Sequence, residues 1–146
     1  MNARMPTIFL GHGNPMNALH DNAWSRGWSA LGRRLRPLRD EGSLLLGSGD
    51  VVHNLHSYAW GRHPAEPFDW ALRFENMARE LMVQGDHPSL VNYELLGRDA
   101  ELSVPTPEHY LPLLYVLGAS DENDAVTFPV EGMDGGSISM LSVQFG

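Results

Sequence analysis

Cysteine and lysine are both missing from the 146 residues of this chain. Without cysteine there can be no disulfide framework, thiolate nucleophile or cysteine-ligated zinc, so any metal must be held by His, Asp, Glu or backbone oxygen. Without lysine there is no Schiff-base amine and no phosphate-loop lysine, since all ten basic residues are arginines. The formal net charge is −8, which argues against nucleic acid as a partner, because phosphate binding relies on clustered positive charge. Four arginines do cluster, at positions 33, 34, 36 and 39. An anion site is one reading of them, but the solvated face of a helix fits an acidic chain better. No apolar run is long enough to span a bilayer, and the stretch behind Met1 is too short for a secretory signal. A cytoplasmic protein without a membrane partner is expected.

What is present reads as an ordinary globular protein of one domain, with 42% hydrophobic and 19% charged residues. Thr7-Ile8-Phe9-Leu10 is a short apolar strand closed by the turn Gly11-His12-Gly13-Asn14-Pro15. Residues 24–38 read as a helix, with Trp24, Trp28, Leu31 and Leu35 on one stripe. Residues 43–46, Ser-Leu-Leu-Leu, read as a buried strand that runs into the glycine-rich turn before His53. Such continuous apolar strands followed by glycine-rich turns predict an α/β fold with a mostly parallel central sheet flanked by helices. In that architecture ligands bind beyond the carboxyl ends of strands, where His12 and His53 would both fall.

Further on, residues 69–84 predict an amphipathic helix whose buried stripe is Trp70, Phe74, Met77 and Leu81, stopped at Gly85. A shorter helical piece follows through residue 96. Thr106 and Pro107 suit a helix start, and Pro112 predicts a kink or restart within the apolar run that follows. Residues 137–145 predict a final strand entered through Gly135-Gly136.

Seven histidines without any cysteine make a histidine-based metal site worth weighing. His12, His53 and His109 each sit in a turn beside the end of an element. No pair has the close helical spacing of a zinc protease, and each taken singly reads more simply as a surface or packing residue. His20 and His56 lie close to the turn histidines and suit solvent exposure or a supporting role. His63 and His87 precede prolines and read as structural. Asp50 is either a carboxylate donor or, more commonly for its position, a cap for the following turn. Glu108 fits a first-turn acid.

Four strings change this balance. Met-Pro-Thr-Ile-Phe-Leu-Gly-His-Gly-Asn-Pro-Met-Asn at the start resembles the opening of the class III extradiol ring-cleavage dioxygenases related to the protocatechuate 4,5-dioxygenase β subunit. Leu-Leu-Leu-Gly-Ser-Gly-Asp-Val-Val-His-Asn-Leu, Pro-Thr-Pro-Glu-His-Tyr-Leu-Pro-Leu-Leu-Tyr-Val-Leu-Gly-Ala and Ser-Ile-Ser-Met-Leu-Ser-Val-Gln are similar, in order, to further signatures of the 4,5-DOPA extradiol dioxygenase-like branch. The resemblance implies a sheet flanked by helices with one non-haem iron(II), or zinc, at its end. His12 and His109 match metal-binding histidines of that family. His53 matches a histidine that is either a further ligand or the acid/base beside the substrate. The implied reaction opens the ring of a catechol such as DOPA with dioxygen, outside the two hydroxyls. The residue types suit it: iron needs nitrogen and carboxylate ligands that leave positions open, and imidazole as a group titrates near neutrality.

The chain also departs from that family. Full members carry another metal histidine in a Ser-x-His-Trp-type motif after the first helix, then several more sheet segments. Here Trp28-Ser29-Ala30-Leu31-Gly32-Arg33-Arg34-Leu35 runs directly into Arg36-Pro37-Leu38-Arg39-Asp40-Glu41-Gly42. Two helices look fused at a junction near residues 32–40, within one internally shortened domain over 1–146. The resemblance therefore implies a site short of one ligand, which argues against turnover by the chain as it stands. It also leaves open a non-catalytic metal-binding remnant and a fragment that pairs its sheet with another chain. Exposed sheet edges predict self-association.

Overall fold

The computed structural model describes residues 35–62 and 64–146, together with Ala23, Arg26 and Ala30. The strand expected over 7–10, most of the helix expected over 24–38, and His12, His20 and His63 lie outside the described residues. A 3-10 turn at Arg36–Arg39 leads into an extended segment, then a loop reaching Arg62. Four helices follow: α1 (Asp69–Gln84), α2 (His87–Val91), α3 (Arg98–Ser103) and α4 (Leu111–Ala119). A second 3-10 turn, Tyr93–Leu96, joins α2 to α3. Four short strands close the chain: β1 (Val126–Val130), β2 (Met133–Asp134), β3 (Ile138–Ser139) and β4 (Ser142–Phe145).

The helix α1 has the expected boundaries, but its buried stripe is rotated by about one residue. Ala71, Phe74, Ala78 and Met82 are buried, while Trp70 and Leu81 pack only partly against the core. Alanines at 71 and 78 put little bulk between helices, and α1 packs on α3 along this face. Gly85 ends α1 with φ at 70°, the left-handed conformation a residue without Cβ adopts readily. Asp86 then caps α2, accepting from the Ser89 backbone N–H at 3.2 Å and the Ser89 hydroxyl at 2.6 Å. Those bonds to the charged form, the hydroxyl first, hold the Asp86 carboxyl below its usual range. Pro112 restarts the chain as a helix: α4 begins at Leu111, after a turn in which Tyr110 and Leu111 donate to the Pro107 carbonyl.

The sheet differs from expectation. β1 pairs antiparallel with β4, and β2 with β3, as two small two-stranded sheets. A mostly parallel central sheet is not found among the described residues. Residues 43–46 form no strand, and Leu44 and Leu46 are 80% and 85% exposed. An apolar run becomes a buried strand only where neighbours supply both a ladder and a covering face, and the described residues supply neither here. The single strand expected over 137–145 is broken into β3 and β4. At the break the Ser139 hydroxyl accepts from the Leu141 N–H at 3.1 Å, a local bond that competes with the ladder. β1 is hard to read in the sequence because Pro129 interrupts it; the register slips between Thr127 and Val130, where proline has no N–H to give.

The core gathers Val51, Val52, Phe74, Met82, Leu90, Tyr93, Tyr110 and Leu117. Tyr110 lies at its centre, with its ring centroid 4.7 Å from Tyr93 and 6.3 Å from Phe74, and its hydroxyl donating to the Leu90 carbonyl at 3.0 Å. Burial pushes that phenol well above its ordinary range. This packing holds residue 109 at the edge of the core, beside the loop that leads to residue 53.

Candidate metal centre

Two glycines let the loop before His53 approach the start of α4. A Cβ on Gly47 would lie 2.6 Å from the Val116 side chain, and one on Gly49 only 2.1 Å from the His109 carbonyl oxygen. That closeness allows the Asp50 N–H to donate to the same carbonyl at 2.8 Å. Beyond it, Val51 and Val52 turn into the core and fix the loop by burial.

His53 is held from both sides of its backbone. Its N–H donates to the Ser103 carbonyl at 2.8 Å, and it forms an isolated antiparallel bridge with Ile138. Asn54, next in the chain, is buried and satisfied: its side-chain amide donates to the Leu102 carbonyl at 2.7 Å and its side-chain oxygen accepts from the Ser57 N–H at 3.0 Å. The Ser137 hydroxyl donates to the Asn54 carbonyl at 2.8 Å. Asn54 and Ser137 are positioning residues that the sequence reading passed over. A polar residue directly after an apolar pair and a histidine was the available signal. Ser103 is fully buried, and its hydroxyl has no hydrogen-bond partner among the described residues.

The histidines meet here. The rings of His53 and His109 stack with centroids 3.6 Å apart and planes 11° from parallel. His109 Nδ1 lies 3.3 Å from Asp50 Oδ2. Donor atoms of Asp50, His53 and His109 all fall within 4.8 Å of one another, so that the three could hold one metal ion. Two imidazoles and a carboxylate fit a divalent transition metal by donor type. The His109 side chain is 48% exposed and that of Asp50 24%, which leaves one side of the cluster open to solvent and ligands. Nearby, the Glu108 carboxyl is held below its usual range, first by the Thr106 hydroxyl and then by its own backbone N–H, with both histidines adding to the effect.

His56 is exposed and outside the cluster, while His87 opens α2. Asp50 also borders a cavity of about 290 Å³ between residues 45–51, α4 and β4. A larger cavity, about 620 Å³, lies between Arg36, His87 and the acidic turn at Asp121 and Asp124, and includes none of the three donors.

The chain is 53% identical to the 4,5-DOPA dioxygenase extradiol of Escherichia coli (strain K12) over 120 residues, covering 80% of this chain and 43% of that protein. The chain is homologous, over about four fifths of its length, to proteins named 4,5-DOPA dioxygenase extradiol. The Beta vulgaris protein of that name is 32% identical over 79% of this chain and 42% of its own length, and the Portulaca grandiflora one 30% identical over 79% and 42%. Among solved structures, an uncharacterized Escherichia coli K12 protein superposes with a TM-score of 0.70 at 47% identity, covering 81% of this chain and 49% of that one. No protein-family model matches the chain. The chain thus spans about two fifths of the length of the curated relatives it matches.

Proposed function

We propose that this chain is a shortened, metal-dependent extradiol ring-opening dioxygenase for a catechol such as DOPA, built as one domain with an internal junction near residues 32–40. The observation that supports the reading most is the stacking of His53 on His109 in a chain 53% identical to a protein named for that activity. The metal ligands proposed are His12, His53 and His109, of which His12 lies outside the described residues. A non-haem iron(II), or zinc, held there would supply open coordination positions for a diol and dioxygen.

The chain's own residues have separable roles in this proposal. His109 is fixed by the Tyr110 anchor that follows it and by the bond its carbonyl accepts from Asp50. His53, the proposed acid/base, is half-buried and held by backbone pairing to Ser103 and Ile138. That restraint keeps its ring beside His109, where it can take the proton of a catechol hydroxyl and return it after ring opening. The apolar wall of Val51 and Val52 excludes water from the inner side of the site.

A second reading, a metal-binding remnant without turnover, is favoured by one observation: the chain covers 43% of its Escherichia coli relative. Anaerobic reconstitution with ferrous iron, followed by DOPA and oxygen, separates the two. Oxygen uptake with a new visible absorbance, lost in His53→Ala and His109→Ala, supports the dioxygenase. Bound iron without uptake, while the Escherichia coli relative turns over in parallel, supports the remnant. The proposed setting is the cytoplasm, and no described helix is long and apolar enough to cross a membrane. Self-association through the exposed 43–46 segment is proposed as well, with Leu44 and Leu46 as its apolar contacts.

A further inference from the structure

We infer that Asp50 is itself a metal ligand, so that its carboxylate joins His53 and His109 around one divalent cation. This rests on the metal-site reading above and adds a donor that the family resemblance does not include.

Spacing is the first argument. An ion with bonds of about 2.1 Å sets adjacent ligand atoms about 3.0 Å apart at a right angle and about 3.4 Å apart at a tetrahedral one. Asp50 Oδ2 and His109 Nδ1 lie 3.3 Å apart. All the donor atoms of the cluster lie within 4.8 Å of one another, a limit that exceeds the roughly 4.2 Å of two ligands on opposite sides of an octahedral ion by little more than a side-chain adjustment.

Second, among the described residues the Asp50 side chain has no capping role. A turn-capping aspartate accepts bonds from backbone N–H groups one to three residues on. Among the described residues the Asp50 carboxylate accepts none, and its one partner is His109. Third, the backbone builds the spacing. Gly49 brings the loop against the His109 carbonyl, and the Asp50 N–H pins it there at 2.8 Å. Preorganisation of this kind is what a ligand set needs before the ion arrives. One hard oxygen with two imidazoles selects iron(II), cobalt(II), manganese(II) or zinc over calcium or a soft copper(I) ion.

The test titrates metal-free full-length chain with cobalt(II) alone, without catechol or oxygen, following the visible absorption and the metal retained on equilibrium dialysis. Expected is one cobalt per chain, weakened about 10- to 100-fold in Asp50→Asn. Equal binding by Asp50→Asn, or no binding by the parent chain, overturns the inference. Because Asp50→Asn could disturb the loop, X-ray absorption of the cobalt-loaded parent chain is the second measurement. Carboxylate oxygen scattering beside the imidazoles supports Asp50 ligation, and a shell of imidazole and water without carboxylate overturns it. Ring opening is read separately, so a chain that binds cobalt through Asp50 yet opens no catechol sinks the dioxygenase reading alone.

Discussion

Replacing Gly49 with alanine tests whether close backbone approach builds the site. The added Cβ would stand 2.1 Å from the His109 carbonyl oxygen, 3.1 Å from the carbon of that carbonyl and 3.1 Å from the Pro112 ring. The obstruction is mainly backbone, so it cannot swing aside as a flexible side chain would. Ordinary carbon–oxygen contact requires a retreat of roughly 1 Å or more. A retreat of that size carries the Asp50 N–H, now 2.8 Å from the same oxygen, beyond hydrogen-bond range. Overpacking of this kind costs about 1–3 kcal/mol and the lost bond about 1 kcal/mol more. Thermal unfolding followed by circular dichroism should therefore fall by about 5–15 °C. Metal affinity should drop about tenfold or more, because the Asp50 carboxylate moves with the loop. Gly118→Ala is the control: a Cβ there meets nothing within 4 Å, in the last turn of α4. It should leave stability unchanged or raise it by up to about 1 kcal/mol. Equal stability of the two variants would refute the reasoning.

Tyr110→Phe removes the hydroxyl that donates to the Leu90 carbonyl in the core and should cost about 1–3 kcal/mol in urea unfolding, with metal stoichiometry unchanged; a neutral effect would show that water reaches Leu90. The Arg39 guanidinium, through a 2.6 Å bond, holds the Asp124 carboxyl below its usual range, so that the pair stabilises above the unfolded carboxylate value and the effect is lost as pH falls through the lower folded value. Asp124→Asn should accordingly lower the melting temperature at pH about 7 and converge with the parent as pH falls through the lowered folded value, and a gap constant with pH would contradict this. Glu75 is shifted the other way: burial raises its pKa, with the Ser139 hydroxyl bond opposing. Its ionisation penalises the fold increasingly as pH rises past the unfolded value, so Glu75→Gln should melt higher than the parent at pH about 8 and equally at pH about 3. Leu44→Ser with Leu46→Ser should shift sedimentation toward the monomer, and an already monomeric parent chain would end the self-association proposal.

Legibility followed the range of the interactions. α1 was readable because its apolar spacing and Gly85 are local signals, and α4 because Pro112 tolerates only the first turn of a helix. The stripe of α1 was misplaced because alanine carries little weight in a hydrophobic pattern, although Ala71 and Ala78 are fully buried. Residues 43–46 were misread because an apolar run reports hydrophobicity but not whether neighbours cover it. β1 was hidden by Pro129, and the β2–β3 hairpin by its two-residue strands. At the site, His53 and His109 were singled out by resemblance, not by spacing, since a ring stack between residues far apart in the chain leaves no periodic trace. Asp50 looked like a turn cap because residue type and position cannot show that its carboxylate faces a histidine.

The most direct test of the dioxygenase reading is to supply ferrous-loaded chain with DOPA under ¹⁸O₂ and weigh the product. The account predicts a ring-opened product carrying both labelled oxygen atoms, formed by the parent chain and not by His109→Ala. Unlabelled product, or no product while the Escherichia coli relative forms it under the same conditions, would contradict it.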